Sequence, residues 1–155
     1  MCSWKLNVSF FFIARNAEEE DMEREEKIKV VLLEPGKLAR TVEIEYTLEN
    51  MQRLVGDGLI EPCYYFREQV CLVCNDEGKI NGMSLNRAIY TDNILLIDIV
   101  AGPAFICGIN GPNFCSLSDE QIKRYKKQFR YPEVFFRKEN GIVAMPYNPD
   151  RGKER

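Results

Sequence analysis

Apolar positions along this chain come in short runs with the periods of strands and helices. The stretch IKVVLLEPG (28–36) is a nearly unbroken β-branched and Leu run closed by Pro-Gly, the pattern of a buried strand ending in a turn. TVEIE (41–45) alternates apolar and acidic residues, so it is predicted to be a half-exposed strand paired antiparallel with the first. TLENMQRLVG predicts a helix: Thr47 is placed as N-cap, and Leu48, Met51 and Val55 share one face. Tyr46 with Met51 makes a hydrophobic staple, and Gly56 suits the position after the helix end. LIEPCYYF (59–66) and QVCLVCN (69–75) flank Arg67-Glu68 at hairpin spacing. ILLIDIVAG (94–102) is long enough for a strand buried on both faces, and PAFICG (103–108) follows it. SLSDEQIKRYKKQF predicts a second helix, with Ser118 and Gln121 as a capping box and Leu117 with Ile122 as its staple. Its residues Ile122, Tyr125 and Phe129 fall on one face, so it is expected to lie on a sheet.

Strands outnumber helices, and the turns between them are mostly too short for crossover helices. The predicted class is therefore α+β: one domain with a mostly antiparallel or mixed sheet of about six strands and two helices. The domain is expected to span 28–130. Residues 131–155, with three prolines and a charged end, are expected to be a partly irregular tail. Residues 1–27 form an N-terminal extension. Its SFFFIA run is too short for a transmembrane helix and lacks the small-x-small spacing of a signal-peptide cleavage site. The AEEED run before Met22 is encodable by codons containing a ribosome-binding AGGAGG, which reads as a mis-assigned start with Met22 opening the protein. The alternative is a genuine strand or helix packed on the core through Trp4, Phe10, Phe11 and Phe12.

At 155 residues, 45% hydrophobic and 29% charged, the chain suits one core and is short for two. A formal charge of -3 disfavours a general nucleic-acid binder, which needs cationic surface. The absence of histidine removes Ser/His/Asp and Cys/His triads and His-ligated zinc. Most of the six cysteines lie in or beside apolar runs, where free Cys behaves as a small hydrophobe, so a reducing, cytoplasmic setting is expected. Cys71-Leu-Val-Cys74 has CxxC spacing, but in strand sequence residues three apart point to opposite faces. It is read as core, and neither a metal, a disulfide nor a cofactor is expected to hold the fold. No glycine pattern matches a standard nucleotide-phosphate loop.

The second helix places Lys123, Arg124, Lys127 and Arg130 away from its apolar face, a pattern that usually marks a solvated surface. The polar stretch NDEGKINGMSLNRAIY (75–90) is more informative, because it interrupts the apolar runs VCLVC and ILLIDIV. Asn81, Ser84, Asn86, Arg87 and Tyr90 bring amide, hydroxyl and guanidinium groups into one segment, with Met83 and Leu85 as anchors. Such groups recognise polar or anionic ligands without titrating. Asn and Gly also favour tight turns, so a structural loop is the competing reading.

In order, IKVVLLEPGK, ENMQRLVGDGLIE, VCLVCNDEGKINGMSLNRAIY, IDIVAGPAFICG and FCSLSDEQIKRY resemble the family labelled domain of unknown function 3846, over about residues 28–130. The resemblance implies a small protein of bacteriophages, plasmids and integrative elements of Firmicutes and other bacteria, with no established activity. The expected function is non-enzymatic: an accessory protein that presents the 76–90 loop to a host protein or a small polar ligand. One alternative is a small hydrolase or transferase using Asp76, Glu77 or Asp98 with Lys79 or Arg87. A second is a nucleic-acid accessory protein working through the basic stripe.

Overall fold

The computed structural model describes residues 25–92 and 94–152. The predicted start at Met22 and the alternative packing of Trp4 and the phenylalanines lie outside the described residues. The elements run β1 (Lys27–Leu33), β2 (Arg40–Glu45), α1 (Leu48–Leu54), β3 (Ile60–Cys63), β4 (Val70–Asn75), β5 (Leu85–Tyr90) and β6 (Leu96–Ala101). They continue with β7 (Ala104–Asn110), β8 (Asn113–Cys115), α2 (Asp119–Gln128), β9 (Glu133–Lys138) and β10 (Gly141–Pro146). The main sheet has six strands in the order β2-β1-β7-β4-β3, with β8 beside β7, and its pairings are antiparallel. Hairpins β5–β6 and β9–β10 form two further small sheets. The architecture is a single α+β domain with two helices and a mostly antiparallel sheet.

Both faces of the main sheet are buried, which explains the unbroken apolar runs of its central strands. Val30, Cys71, Val73, Phe105 and Cys107 face one cluster, closed by Met51 and Val55 from the α1 region. Val31, Leu33, Val70, Leu72 and Ile106 face the other, closed by Tyr125 and Phe129 and by Ile89 and Val100 of the β5–β6 hairpin. The helix ends follow the local sequence. Thr47 accepts from the Asn50 backbone N–H at 3.1 Å, and Gly56 takes φ +85° just past the C-cap. Ser118 and Gln121 complete their capping box at 3.1 and 2.9 Å. The Pro-Gly turn is closed by Lys37 N–H to the Glu34 carbonyl at 3.2 Å, with Gly36 at φ +76°, as a type II turn requires.

Three local expectations differ from the structure. The 94–102 run is not buried on both faces: β6 pairs with β5 outside the main sheet and is exposed along its first half. Only its Val100 end packs on the core, because the hairpin covers the sheet with one face and its tip extends beyond it. The connection after β3 is wider than a two-residue turn, since pairing with β4 ends at Cys63↔Leu72. The tail contains a regular hairpin, with Glu133 paired to Pro146 and Lys138 to Gly141 around Glu139-Asn140. Its strands are largely exposed, so the sequence carries no buried face to announce them.

Candidate functional site

The stretch between β4 and β6 divides into a surface loop and a buried strand. The loop is held from below by Asn75, whose side chain donates to the carbonyls of Val55 and Asp57 at 3.1 and 2.6 Å and accepts from Glu77 N–H at 2.9 Å. Backbone bonds from Asn81 to Glu77 and from Met83 to Gly78, both 2.9 Å, coil it into tight turns. Gly78 is pressed against β6: a Cβ there would lie 2.5 Å from the Ala101 carbonyl oxygen. Met83 anchors the loop against Gly56 and Gly102, whereas Leu85 is 41% exposed and does not.

The five sequence-predicted site residues therefore separate. Asn81, Ser84 and Tyr90 are exposed. Asn86 and Arg87 are wholly buried. Asn86 Nδ2 donates to the carbonyls of Leu33 and Gly102, both at 2.9 Å. Arg87 donates from Nε to Phe129 O at 3.1 Å and from Nη1 to Glu34 O at 3.2 Å and to Asn86 Oδ1 at 2.8 Å. Its Nη2 donates to Lys37 O at 2.8 Å. The guanidinium thus spans the Pro-Gly turn and the C-terminal end of α2, where free carbonyls favour a cation. Burial lowers its pKa to about 10, with Glu133 and Tyr147 acting the other way, so it stays charged at neutral pH. Burial raises the Glu133 carboxyl, opposed by the Ala88 N–H bonded to it at 2.7 Å and by Arg87. This geometry matches the structural reading of the pair: its donors serve the chain's own backbone.

Two concavities share Tyr65 as a wall, one beside the loop and one beside the far end of β5. The smaller, of about 260 Å³, is lined by Glu61, Cys63, Cys74, Lys79 and Asp98. Asp98 accepts from the Tyr65 hydroxyl, from Lys79 Nζ at 2.5 Å and from its neighbour Ile99 N–H at 2.8 Å. Burial pushes the Asp98 carboxyl up, but the Lys79, Tyr65 and Ile99 hydrogen bonds outweigh it and hold the group below its ordinary range. Tyr65 is raised far above its ordinary value by burial and then by its bond to Asp98. The larger groove, of about 560 Å³, brings Tyr90 and Ile97 beside Phe66 and Tyr125. On its wall Glu68 accepts from Arg124, from Tyr125 at 2.5 Å and from Gln121 at 2.9 Å, which together hold its carboxyl at about 2. Arg124 is thereby drawn out of the basic stripe.

The cysteines sort by strand face. Cys71 lies in the α1-side core, 3.8 Å from Cys107 sulfur to sulfur, where burial keeps the Cys107 thiol protonated. Cys74 packs on the opposite face, with its sulfur 4.0 Å from that of Cys63. The CxxC spacing put Cys71 and Cys74 on opposite faces, as they are; the sulfur near Cys74 comes from Cys63 across the β3–β4 hairpin, two residues from the Glu61 that pairs with Cys74.

Fold and site define a small α+β domain that uses buried polar side chains to brace a surface loop and the strand after it, with a concavity beside each. The chain belongs to the family described as domain of unknown function (DUF3846), which matches residues 28–130. No curated protein and no solved structure matches it. No described helix is long and apolar enough to cross a membrane.

Proposed function

We propose that this chain is a non-enzymatic accessory protein of a phage or mobile element, and that it captures a host protein with the 76–90 loop and the adjoining β5–β6 tip. The observation that carries this reading is a run of four consecutive exposed aliphatic residues. Ile94, Leu95, Leu96 and Ile97 are 82, 64, 39 and 48% exposed, next to Tyr90 at 45%. Scattered surface apolar residues are ordinary, but a contiguous group is a feature of interaction surfaces. Ile94 also sits at φ +64°, a left-handed backbone that disfavours β-branched residues, with its side chain turned out to solvent. Tyr90, paired with Leu96, supplies an aromatic anchor of the kind enriched in binding hot spots, whereas Asn81 and Ser84 lie toward the opposite end of the hairpin, where the Ser84 carbonyl accepts from Gly102 N–H. In this reading Asn86 and Arg87 act from below, holding β5 in place.

The acid–base alternative has less support. Proton transfer is most efficient from a group with a pKa near the working pH. Asp98 is displaced downward and Tyr65 upward, so both move away from neutral pH. The nucleic-acid reading loses Arg124 to Glu68.

The test is capture of a partner from bacterial lysate by the wild-type chain and by a Leu95→Ser, Ile97→Ser variant, with melting curves for both. The expected result is loss of a specific captured protein with stability changed by about 0.5 kcal/mol or less, the usual scale for exposed substitutions. Undiminished capture by the variant would refute the surface.

A further inference from the structure

The smaller concavity contains chemistry that partner capture does not use. In the β3–β4 ladder Glu61 lies opposite Cys74 and Cys63 opposite Leu72. Strand alternation then puts Glu61, Cys63 and Cys74 on one face. Their ligand atoms, one carboxylate oxygen and two sulfurs, all lie within 4.8 Å of one another. Tetrahedral zinc, with bonds of about 2.3 Å to sulfur and about 2.0–2.2 Å to oxygen, separates its ligands by about 3.6–3.8 Å. The 4.0 Å between the sulfurs of Cys63 and Cys74 is close to that spacing, and a Glu61 carboxylate oxygen lies within 4.8 Å of both.

A second thiol pair in the same sheet provides an internal comparison. Cys71 and Cys107 are equally close, at 3.8 Å, but they are enclosed by the aliphatic and aromatic α1-side core. Cys63 and Cys74 instead line a cavity with a carboxylate beside them. Thiolates select zinc-class ions over magnesium and calcium, and zinc accepts carboxylate oxygen as well.

From these distances and this donor set we infer that Glu61, Cys63 and Cys74 form a three-ligand site for a zinc-class divalent cation, with its fourth position facing the cavity lined by Tyr65, Lys79 and Asp98. Binding exchanges the two thiol protons for the metal and leaves room for water or a small ligand at the open position. The inference is independent of the apolar surface proposed above, since none of the three ligands belongs to it.

The test is titration of the reduced, chelator-free chain with cobalt(II), read by the thiolate-to-cobalt charge-transfer band and the visible bands of tetrahedral cobalt. Zinc competition and metal analysis give the stoichiometry. The expected result is one equivalent per chain, displaced by zinc. Cys74→Ser and Glu61→Gln are each expected to weaken binding at least about tenfold, the lower bound for losing even an outer-shell partner. Cys115→Ser, on β8, serves as the control and is expected to bind as wild type. Cys74 and Glu61 are only half-buried, so these variants avoid the folding risk of changing the buried Cys63. Absence of the charge-transfer band at excess cobalt would overturn the inference, as would a band that survives Cys74→Ser or an affinity indifferent to Glu61→Gln.

Discussion

Replacing Arg87 by Ala is the most informative single perturbation of this fold. The guanidinium makes four hydrogen bonds, three of them to backbone carbonyls at Glu34, Lys37 and Phe129 and one to Asn86 Oδ1. Its removal leaves those acceptors without their donor and opens space at the largest fully buried side chain among the described residues. Each buried group left unsatisfied costs about 1–3 kcal/mol, but relaxation and the relief of burying a cation reduce the sum. Breaking a buried charged network from one side typically costs about 3–5 kcal/mol, and that is the expected loss. At about 2–4 °C per kcal/mol for a chain of this size, the melting midpoint falls by roughly 10 °C. Arg87→Lys keeps the charge but replaces the fork by one ammonium, which cannot reach the Pro-Gly turn and the end of α2 together, so much of the loss is expected to remain. Asn86→Ala removes the bonds to Leu33 and Gly102 and also the Arg87 contact, so the double variant is expected to fall short of the sum of the singles. Urea unfolding followed by far-ultraviolet circular dichroism measures all of these. An Arg87→Ala variant within about 0.5 kcal/mol of wild type would refute the bracing role.

Two further outcomes follow from the geometry around the concavities. Arg124, Tyr125 and Gln121 hold the Glu68 carboxyl at about 2, below its ordinary 4.5, so its stabilisation is present above about pH 4.5 and is lost as pH falls toward 2. Because the pair with Arg124 is partly exposed, Glu68→Gln is expected to cost only about 1 kcal/mol at neutral pH, with the difference from wild type shrinking across that acid window in pH-dependent urea unfolding. Gly78→Ala would place a Cβ against the Ala101 carbonyl oxygen, where a backbone atom has to give way. It is expected to cost about 1–3 kcal/mol by overpacking and to loosen the Lys79–Asp98 pair, seen as faster amide exchange in the loop; an unchanged melting curve and exchange pattern would show that the loop does not press on β6.

The elements that the sequence made legible are those whose causes are local. Thr47, Ser118 with Gln121, Pro35-Gly36 and Gly56 act on neighbours within a few residues, and each appears in its expected role. The buried strands β4 and β7 were also legible, because both faces of each are covered and their apolar runs are unbroken. The same rule misled at β6, where an equally apolar run lies mostly outside the core. An apolar run reports that a surface needs covering, whether the cover is the chain's own core or another molecule. In β9–β10 the reverse holds: Val134 and Met145 form one exposed pair and Phe136 and Val143 another, so no buried face with strand period marks the hairpin.

The polar segment after β4 shows where local reading stops. Asn86 and Arg87 resemble recognition groups because donor-rich side chains suit any cluster of acceptors, whether on a partner or within the chain. Here the acceptors are carbonyls at Leu33, Glu34, Lys37, Gly102 and Phe129, drawn from three separate parts of the sequence. A turn and a helix end both leave carbonyls outside any ladder, and a side chain crossing them from β5 satisfies both at once. That demand arises only after the chain has folded back on itself, so no window of sequence contains it. The thiols differ in kind. Arg67-Glu68 at the centre of the predicted hairpin implies the pairing of Glu61 with Cys74 that the structure has, even though the connection opens wider than a tight turn. From that register Cys63 and Cys74 share a face and Cys71 does not. The cross-strand cluster is therefore encoded in the hairpin register, not in the spacing along either strand.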